Sequence, residues 1–239
     1  MHKNDNLYCF SPTGGTLKVA EALHNQLKDK TDITVVAAPV YGGRIPALVV
    51  EELSKLEGKG RKAVALVVYG VRAYDDALLE LTDTLKAQGF QVVAAGAFVA
   101  RHSIVPEVGM GRPNEQDIAD IETFAQKILD KLEQVKDAEL DKLQIPGNYP
   151  YRDRSKVAAT PITPSECVQC GNCIKVCPTG AIKMENGTVA TDLEKCILCM
   201  ACVWACPQKM RALPPQMQEG MEQKLGPLKE VQRENEYFV

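Results

Sequence analysis

Eight of the nine cysteines fall into two copies of one pattern, C-x-x-C-x-x-C-x-x-x-C-P. The first copy is Cys167, Cys170, Cys173 and Cys177 with Pro178; the second is Cys196, Cys199, Cys202 and Cys206 with Pro207. A thiolate run of this spacing ligates [4Fe–4S] cubanes: three close cysteines wrap one cluster, and the fourth, followed by proline, turns away to the other. The spacing therefore predicts a crossed assignment. Cys167, Cys170, Cys173 and Cys206 would hold one cluster, and Cys196, Cys199, Cys202 and Cys177 the other. Structural zinc uses four ligands set out as two pairs, fewer thiolates than two uninterrupted runs supply. Disulfides would suit a secreted mini-domain, but no apolar signal segment precedes Asn4–Phe10. The ninth cysteine, Cys9, ends an apolar strand beside Phe10 and reads as a buried structural thiol.

A second chemistry-bearing segment is Ser11-Pro12-Thr13-Gly14-Gly15-Thr16. It lies between a short apolar strand over Asn6–Phe10 and an amphipathic helix over Leu17–Lys28. A glycine- and hydroxyl-rich loop that opens a helix presents free backbone N–H groups, helped by the helix dipole, and hydroxyls from Ser11, Thr13 and Thr16 add donors for a phosphate. The loop has no Lys or Arg, so it is not a Walker A loop, and it is not G-x-G-x-x-G. Taken alone it reads equally well as a helix N-terminus whose glycines serve only the turn.

The elements that would position these groups follow in order. Strands are expected over Ile33–Ala38, Lys62–Tyr69 and Gln91–Ala100. Helices are expected over Ala47–Leu56, from Asp76 to about Gln88, and from Asn114 to about Lys136, with Asn114 as N-cap and Asp117 at its third position. Continuous apolar strands alternating with helices predict an α/β domain, a parallel sheet covered on both faces. Ligands of such sheets bind beyond the strand C-termini. Three loops leave those ends: Ser11–Thr16, Val40–Arg44 and Gly70–Asp75. Two of them carry tyrosine beside glycine, suited to packing a flat ring while the first holds a phosphate. Tyr41 is the stacking candidate, with Tyr74 or Tyr69 on the other side; packing within the loops is the competing reading.

This constellation resembles flavodoxin, in which an S-x-T-G-x-T loop binds the phosphate of FMN and two later loops flank its ring. Over nearly its whole length the chain resembles the fused flavodoxin–ferredoxin electron-transfer proteins of anaerobic bacteria. The likeness rests on Ser11–Thr16, Pro39–Arg44, Tyr69-Gly70, Arg72–Leu78 and both cysteine runs. It extends through Pro146–Tyr151 and Arg233–Phe238. The resemblance implies FMN and two [4Fe–4S] clusters as cofactors. It implies an FMN site at Ser11, Thr13, Gly14, Gly15, Thr16, Tyr41, Gly42, Gly43, Tyr69, Gly70, Arg72 and Tyr74. One feature departs from flavodoxin. The strand over Ile33–Ala38 leads straight into the tyrosine loop, so it corresponds to the third flavodoxin strand and the second is missing. Either the sheet has four strands with altered helix cover, or a short edge strand lies in Lys28–Asp32. Keeping the first helix on its usual face would require a left-handed crossover, found in only about 2% of such connections.

The expected organisation is a flavodoxin-like domain over 1–136, a linker over 137–163 and a small α+β ferredoxin domain with two [4Fe–4S] clusters over 164–212. A tail over 213–239 is expected to pack on the first domain. Tyr149 and Tyr151 either order the linker or dock against one domain, and Trp204 beside Cys206 reads as a cluster shield, with a surface contact as the alternative. The formal charge is −3, and two oxidised clusters would add roughly −4. No basic stripe argues for nucleic acid, no segment approaches the roughly 20 apolar residues of a membrane span, and the reduced thiols suit the cytoplasm. The expected function is low-potential electron transfer between the clusters and FMN, with redox proteins as partners. The alternatives are an FMN-dependent reductase fed by its own clusters, or a cluster protein whose first domain no longer binds flavin.

Overall fold

The computed structural model describes residues 1–4, 6–163 and 167–239. The expected start of the cysteine-rich module at 164 lies outside the described residues. The chain opens with β1 (His2–Asn4), which pairs antiparallel with β2 (Leu7–Cys9). There follow α1 (Gly15–Leu27), β3 (Thr34–Pro39), α2 (Ala47–Leu53), β4 (Lys62–Tyr69), α3 (Ala77–Ala87), β5 (Gln91–Val99) and α4 (Glu115–Gln134). Strands β2, β3, β4 and β5 are parallel neighbours in that order. Their Val-, Ala- and Leu-rich interiors are buried on both sides, as strands sandwiched between helix layers must be.

Alternation along the strands divides the core in two. On one face Val19, Leu23 and Leu27 of α1 pack with Ile121, Phe124 and Ile128 of α4 over Val35, Leu66 and Phe98. On the other, Val49 and Leu53 of α2 pack with Leu78, Leu81 and Leu85 of α3 over Val36, Val67 and Val99. Cys9 is fully buried in the first of these layers, where burial, reinforced by the Glu21 carboxylate, pushes its thiol up to about 12.

Neither alternative is realised as expected: the sheet has six strands, four of them parallel, and its helix cover is unaltered, with α1 on the face opposite α2 and α3. Residues 28–30 form a turn and residues 31–33 join no strand, so no edge strand lies there. The strands step across the sheet in a single direction, yet α1 covers the face opposite α2 and α3. Connections that step the same way over opposite faces have opposite hands. Because about 98% of such crossovers are right-handed, the β2–α1–β3 connection is the left-handed exception. The sheet edge left open by the missing strand is closed by β1.

Residues 137–163 are not a free connector. The fully buried Asp76 at the start of α3 accepts bonds from Asn148 N (2.8 Å), Asn148 Nδ2 (3.0 Å) and Arg152 N (2.7 Å). The Tyr151 hydroxyl donates to Asp83 Oδ2 at 2.6 Å, while Tyr149 stays exposed. The cysteine-rich module comprises α5 (Asn172–Lys175), the hairpin β6 (Ile182–Glu185) and β7 (Thr188–Thr191), and α6 (Ala201–Trp204). An antiparallel bridge between Ile162 and Ala212 ties its two ends together. The chain then returns through α7 (Pro215–Leu225) to β8 (Glu236–Phe238), which pairs antiparallel with β5 and closes the other sheet edge. Asn235 holds this return in place: its Oδ1 accepts from Val99 N at 2.9 Å, and its Nδ2 donates to Asp117 and Asp120.

Candidate cofactor sites

The eight motif cysteines gather around two separate cavities. Cys167, Cys170, Cys173 and Cys206 line one of them with Val168, Pro207, Met210 and Arg211. Cys177, Cys196, Cys199 and Cys202 line the other with Pro161, Ala181, Ile182, Leu198 and Met200. Each short helix carries the third cysteine of its run, and the chain then turns at Cys-Pro so that the fourth thiol lies in the other half. Among the described residues, no carboxylate or imidazole lines either cavity. Among the described residues, no three His, Cys, Asp or Glu side chains converge as ligands of one ion. Four thiols around each cavity, with no carboxylate or imidazole beside them among the described residues, fit a cubane cluster.

The two cavities differ in environment. Cys199 and Cys202 are buried, and burial pushes the Cys199 thiol up to about 12. In the first set Cys170 is exposed. Burial alone would raise the Cys206 thiol, but the backbone N–H groups of Arg211, Met210, Gln208 and Lys209 outweigh it and lower the pKa.

At the C-terminal ends of the parallel strands lies a third cavity of about 390 Å³, within the size range of cofactor pockets. Thr13, Gly15, Thr16, Tyr41, Gly42, Tyr69 and Gly70 line it. A β-carbon at Gly70 would stand 2.5 Å from His102 Cδ2, and one at Gly42 2.5 Å from Ser155 Oγ. Only glycine lets these two walls approach so closely. His102 also lines the cavity; its Nδ1 accepts from the N–H groups of Ile104 and Val105, both at 3.2 Å. Those bonds leave hydrogen on Nε2 in the neutral ring, and burial pulls the imidazole down to about 4. The cavity's size, its glycine walls and its hydroxyl-bearing loop fit a phosphorylated flat ring.

Five residues of the expected flavin site do not line this cavity. Ser11 Oγ instead accepts from Leu17 N at 2.9 Å, fastening the loop to the first turn of α1. Gly14 supplies the left-handed turn (φ 86°) ahead of that helix. Gly43, also left-handed (φ 84°), lies against Arg152. Arg72 is paired with Asp75. The Tyr74 hydroxyl donates to Glu236 Oε2 at 2.7 Å, and its ring packs edge-on against Tyr69. Its role is to bind the C-terminal strand.

Several lining residues escape a reading of the sheet loops alone. Arg101, Lys156 and Lys224 bring positive charge from the loop after β5, from the linker and from α7. Ile197 and Leu198, between the motif cysteines Cys196 and Cys199, line both this cavity and the second thiol cavity. The Tyr41 phenol is raised well above its usual range by burial, and further by the Cys199 thiol. Its loop is anchored from below by Glu80, which accepts from Arg44 Nε (2.8 Å), Arg44 Nη2 (2.7 Å) and Ile45 N (3.1 Å). Trp204 is 43% exposed and stands against the loop after β5, with Arg101 4.8 Å from its ring centre; it is a contact between domains rather than a cluster shield.

Residues 160–212 match the family model of a 4Fe-4S dicluster domain. The polyferredoxin-like subunit of the aliphatic sulfonate oxidoreductase of Pyrococcus furiosus is 46% identical over 55 residues, 21% of this chain and 32% of that protein. The thiosulfate reductase electron transfer subunit of Salmonella typhi is 51% identical over 53 residues, 21% of this chain and 28% of that protein. The chain thus spans under a third of the length of either relative. A flavodoxin from the domain Archaea aligns at 12% identity with a TM-score of 0.42, covering 54% of this chain and 97% of that one. The sheet is mostly parallel, with helices on both faces and a cleft at its strand C-termini, and it is followed in the same chain by the region that matches the dicluster domain. Among the described residues no helix is long and apolar enough to cross a membrane.

Proposed function

We propose that this protein transfers electrons between two [4Fe–4S] clusters and an FMN held at the C-terminal edge of the sheet, exchanging them with redox partner proteins. The observation behind this reading is the wall formed by Ile197 and Leu198, which belongs to both the sheet-edge cavity and the second thiol cavity. A ring in the first would lie one side-chain layer from a cluster in the second. Bound flavin exchanges one or two electrons while the clusters take one each, so the pair matches two-electron to one-electron carriers.

The protein supplies position and environment. Thr13, Gly15 and Thr16 offer hydroxyl and backbone donors to the phosphate at the start of α1. Tyr41 and Gly42 take one side of the ring, and Tyr69 and Gly70 the other. Ser11, Gly14, Gly43, Arg72 and Tyr74 shape these loops from behind. Cys167, Cys170, Cys173 and Cys206 hold the cluster nearer the surface; Cys196, Cys199, Cys202 and Cys177 hold the one nearer the flavin. The domains run 1–136 and 164–212, with 137–163 and 213–239 strapping them together.

Quantification of iron, sulfide and FMN on one preparation made without oxygen tests the reading. About eight iron atoms and one FMN per chain are expected. A protein that carries the iron but takes up no FMN from excess would limit the function to its clusters.

A further inference from the structure

The cysteine-rich module buries a cation that no carboxylate pairs with among the described residues. Arg211 is 2% exposed, among the largest fully buried side chains of the molecule. Its Nη1 donates to Thr163 Oγ1 at 2.6 Å and its Nη2 to Thr191 Oγ1 at 2.5 Å, both neutral hydroxyls. Its Nε finds no partner among the described residues, and no carboxylate there pairs with it. A buried guanidinium left in this state is strongly unfavourable, because desolvation is repaid only by an opposite charge close by.

Its position supplies that charge. Arg211 lines the cavity of the first thiol set together with Thr163. Thr191, held by the other arm of the same guanidinium, lines the cavity of the second set. One planar cation therefore reaches the walls of both. A cubane with four thiolates carries about −2 when oxidised and one charge more when reduced.

We propose that Arg211 is the shared internal counter-ion of the two clusters, a positioning residue that raises the reduction potential of both. A fixed positive charge stabilises the more negative, reduced state of a neighbouring cluster more than its oxidised state. Lying between the two, it acts on each in the same direction. It also offsets the repulsion that two anionic clusters exert on one another in so small a module. The inference rests on both thiol sets carrying clusters, as proposed above.

The test uses the full-length holoprotein with Arg211→Gln and Arg211→Lys. Iron and sulfide are quantified first, and both midpoint potentials are then measured by an EPR-monitored redox titration. With clusters retained, Arg211→Gln is expected to move both midpoints to lower potential, while Arg211→Lys stays nearer the parent protein. Unmoved midpoints in Arg211→Gln would overturn the proposal, even if that variant melts earlier, since packing alone does not set a potential. If Arg211→Gln fails to retain clusters, retention in Arg211→Lys supports the counter-ion role, and equal loss in both overturns it. Absence of iron from the parent protein would instead sink the underlying cluster reading.

Discussion

The indole Nε1–H of Trp204 donates to the backbone carbonyl of Ser103 at 3.0 Å, across 101 residues of chain. Trp204 stands between the cluster cysteines Cys202 and Cys206, and Ser103 lines the sheet-edge cavity. With Arg101 over the same ring, this contact presses the cysteine-rich module onto the loop after β5. Trp204→Ala removes the bond and the cation–π contact, a loss of about 1–2 kcal/mol at the interface. The iron content is expected to stay at the parent level. Amide hydrogen exchange should speed up in residues 103–105 and in the 197–206 segment; unchanged exchange there would mean the docking does not depend on Trp204.

The arrangement of the thiols makes the two fourth cysteines separable. Cys177→Ser is expected to impair the cluster whose other ligands are Cys196, Cys199 and Cys202, and Cys206→Ser the one held by Cys167, Cys170 and Cys173. EPR of each reduced variant reads out which signal is altered. Damage confined to the cluster of the residue's own run would refute the crossed ligation.

Gly70 sets the width of the sheet-edge cavity, because a side chain there collides with His102. Gly70→Ala should weaken FMN binding at least tenfold, or about 1.4 kcal/mol, and leave iron and sulfide unchanged. Fluorescence titration of the flavin-free protein with FMN measures it. Equal affinity in both proteins would place the flavin elsewhere.

His102 predicts a pH dependence. Its folded pKa lies near 4, below the ordinary 6.5, because burial disfavours the imidazolium. On acidification the unfolded chain therefore binds the proton first. The stability that His102 contributes is present above pH 6.5, drains away as pH falls, and is lost by about pH 4. His102→Gln should flatten the fall in thermal unfolding temperature across that window. Parallel curves for the two proteins would show that the ring is protonated without cost.

Much of this was legible in the chain because the strongest signals are local. The cysteine runs encode ligand spacing directly. The strands over Lys62–Tyr69 and Gln91–Val99, and the Asn114–Asp117 capping box, follow from short-range pattern and bonding. What escaped depends on distant partners. The three-residue strands β1 and β8 are too short to carry a period and exist because they close the edges of a sheet built elsewhere. The face chosen by α1 is settled by its packing against α4. The tyrosines divide for the same reason: Tyr41 and Tyr74 occupy similar Gly-rich loops, but a carboxylate 162 residues away takes the hydroxyl of Tyr74. Glu80 carries no local signal of its role, which comes from Arg44 and Arg154 converging on it from a loop and the linker. Arg211, between Met210 and Ala212, carries no local signal; only its burial between two thiol cavities sets it apart.

The central claim is that electrons pass within one molecule across the Ile197–Leu198 wall. Rapid-mixing reduction of the anaerobic holoprotein, followed at separate cluster and flavin wavelengths over a range of protein concentrations, addresses it most directly. Flavin reduction following cluster reduction, at a rate independent of protein concentration, is the result expected. A flavin phase whose rate rises in proportion to protein concentration would mean that electrons travel between molecules, and would contradict it.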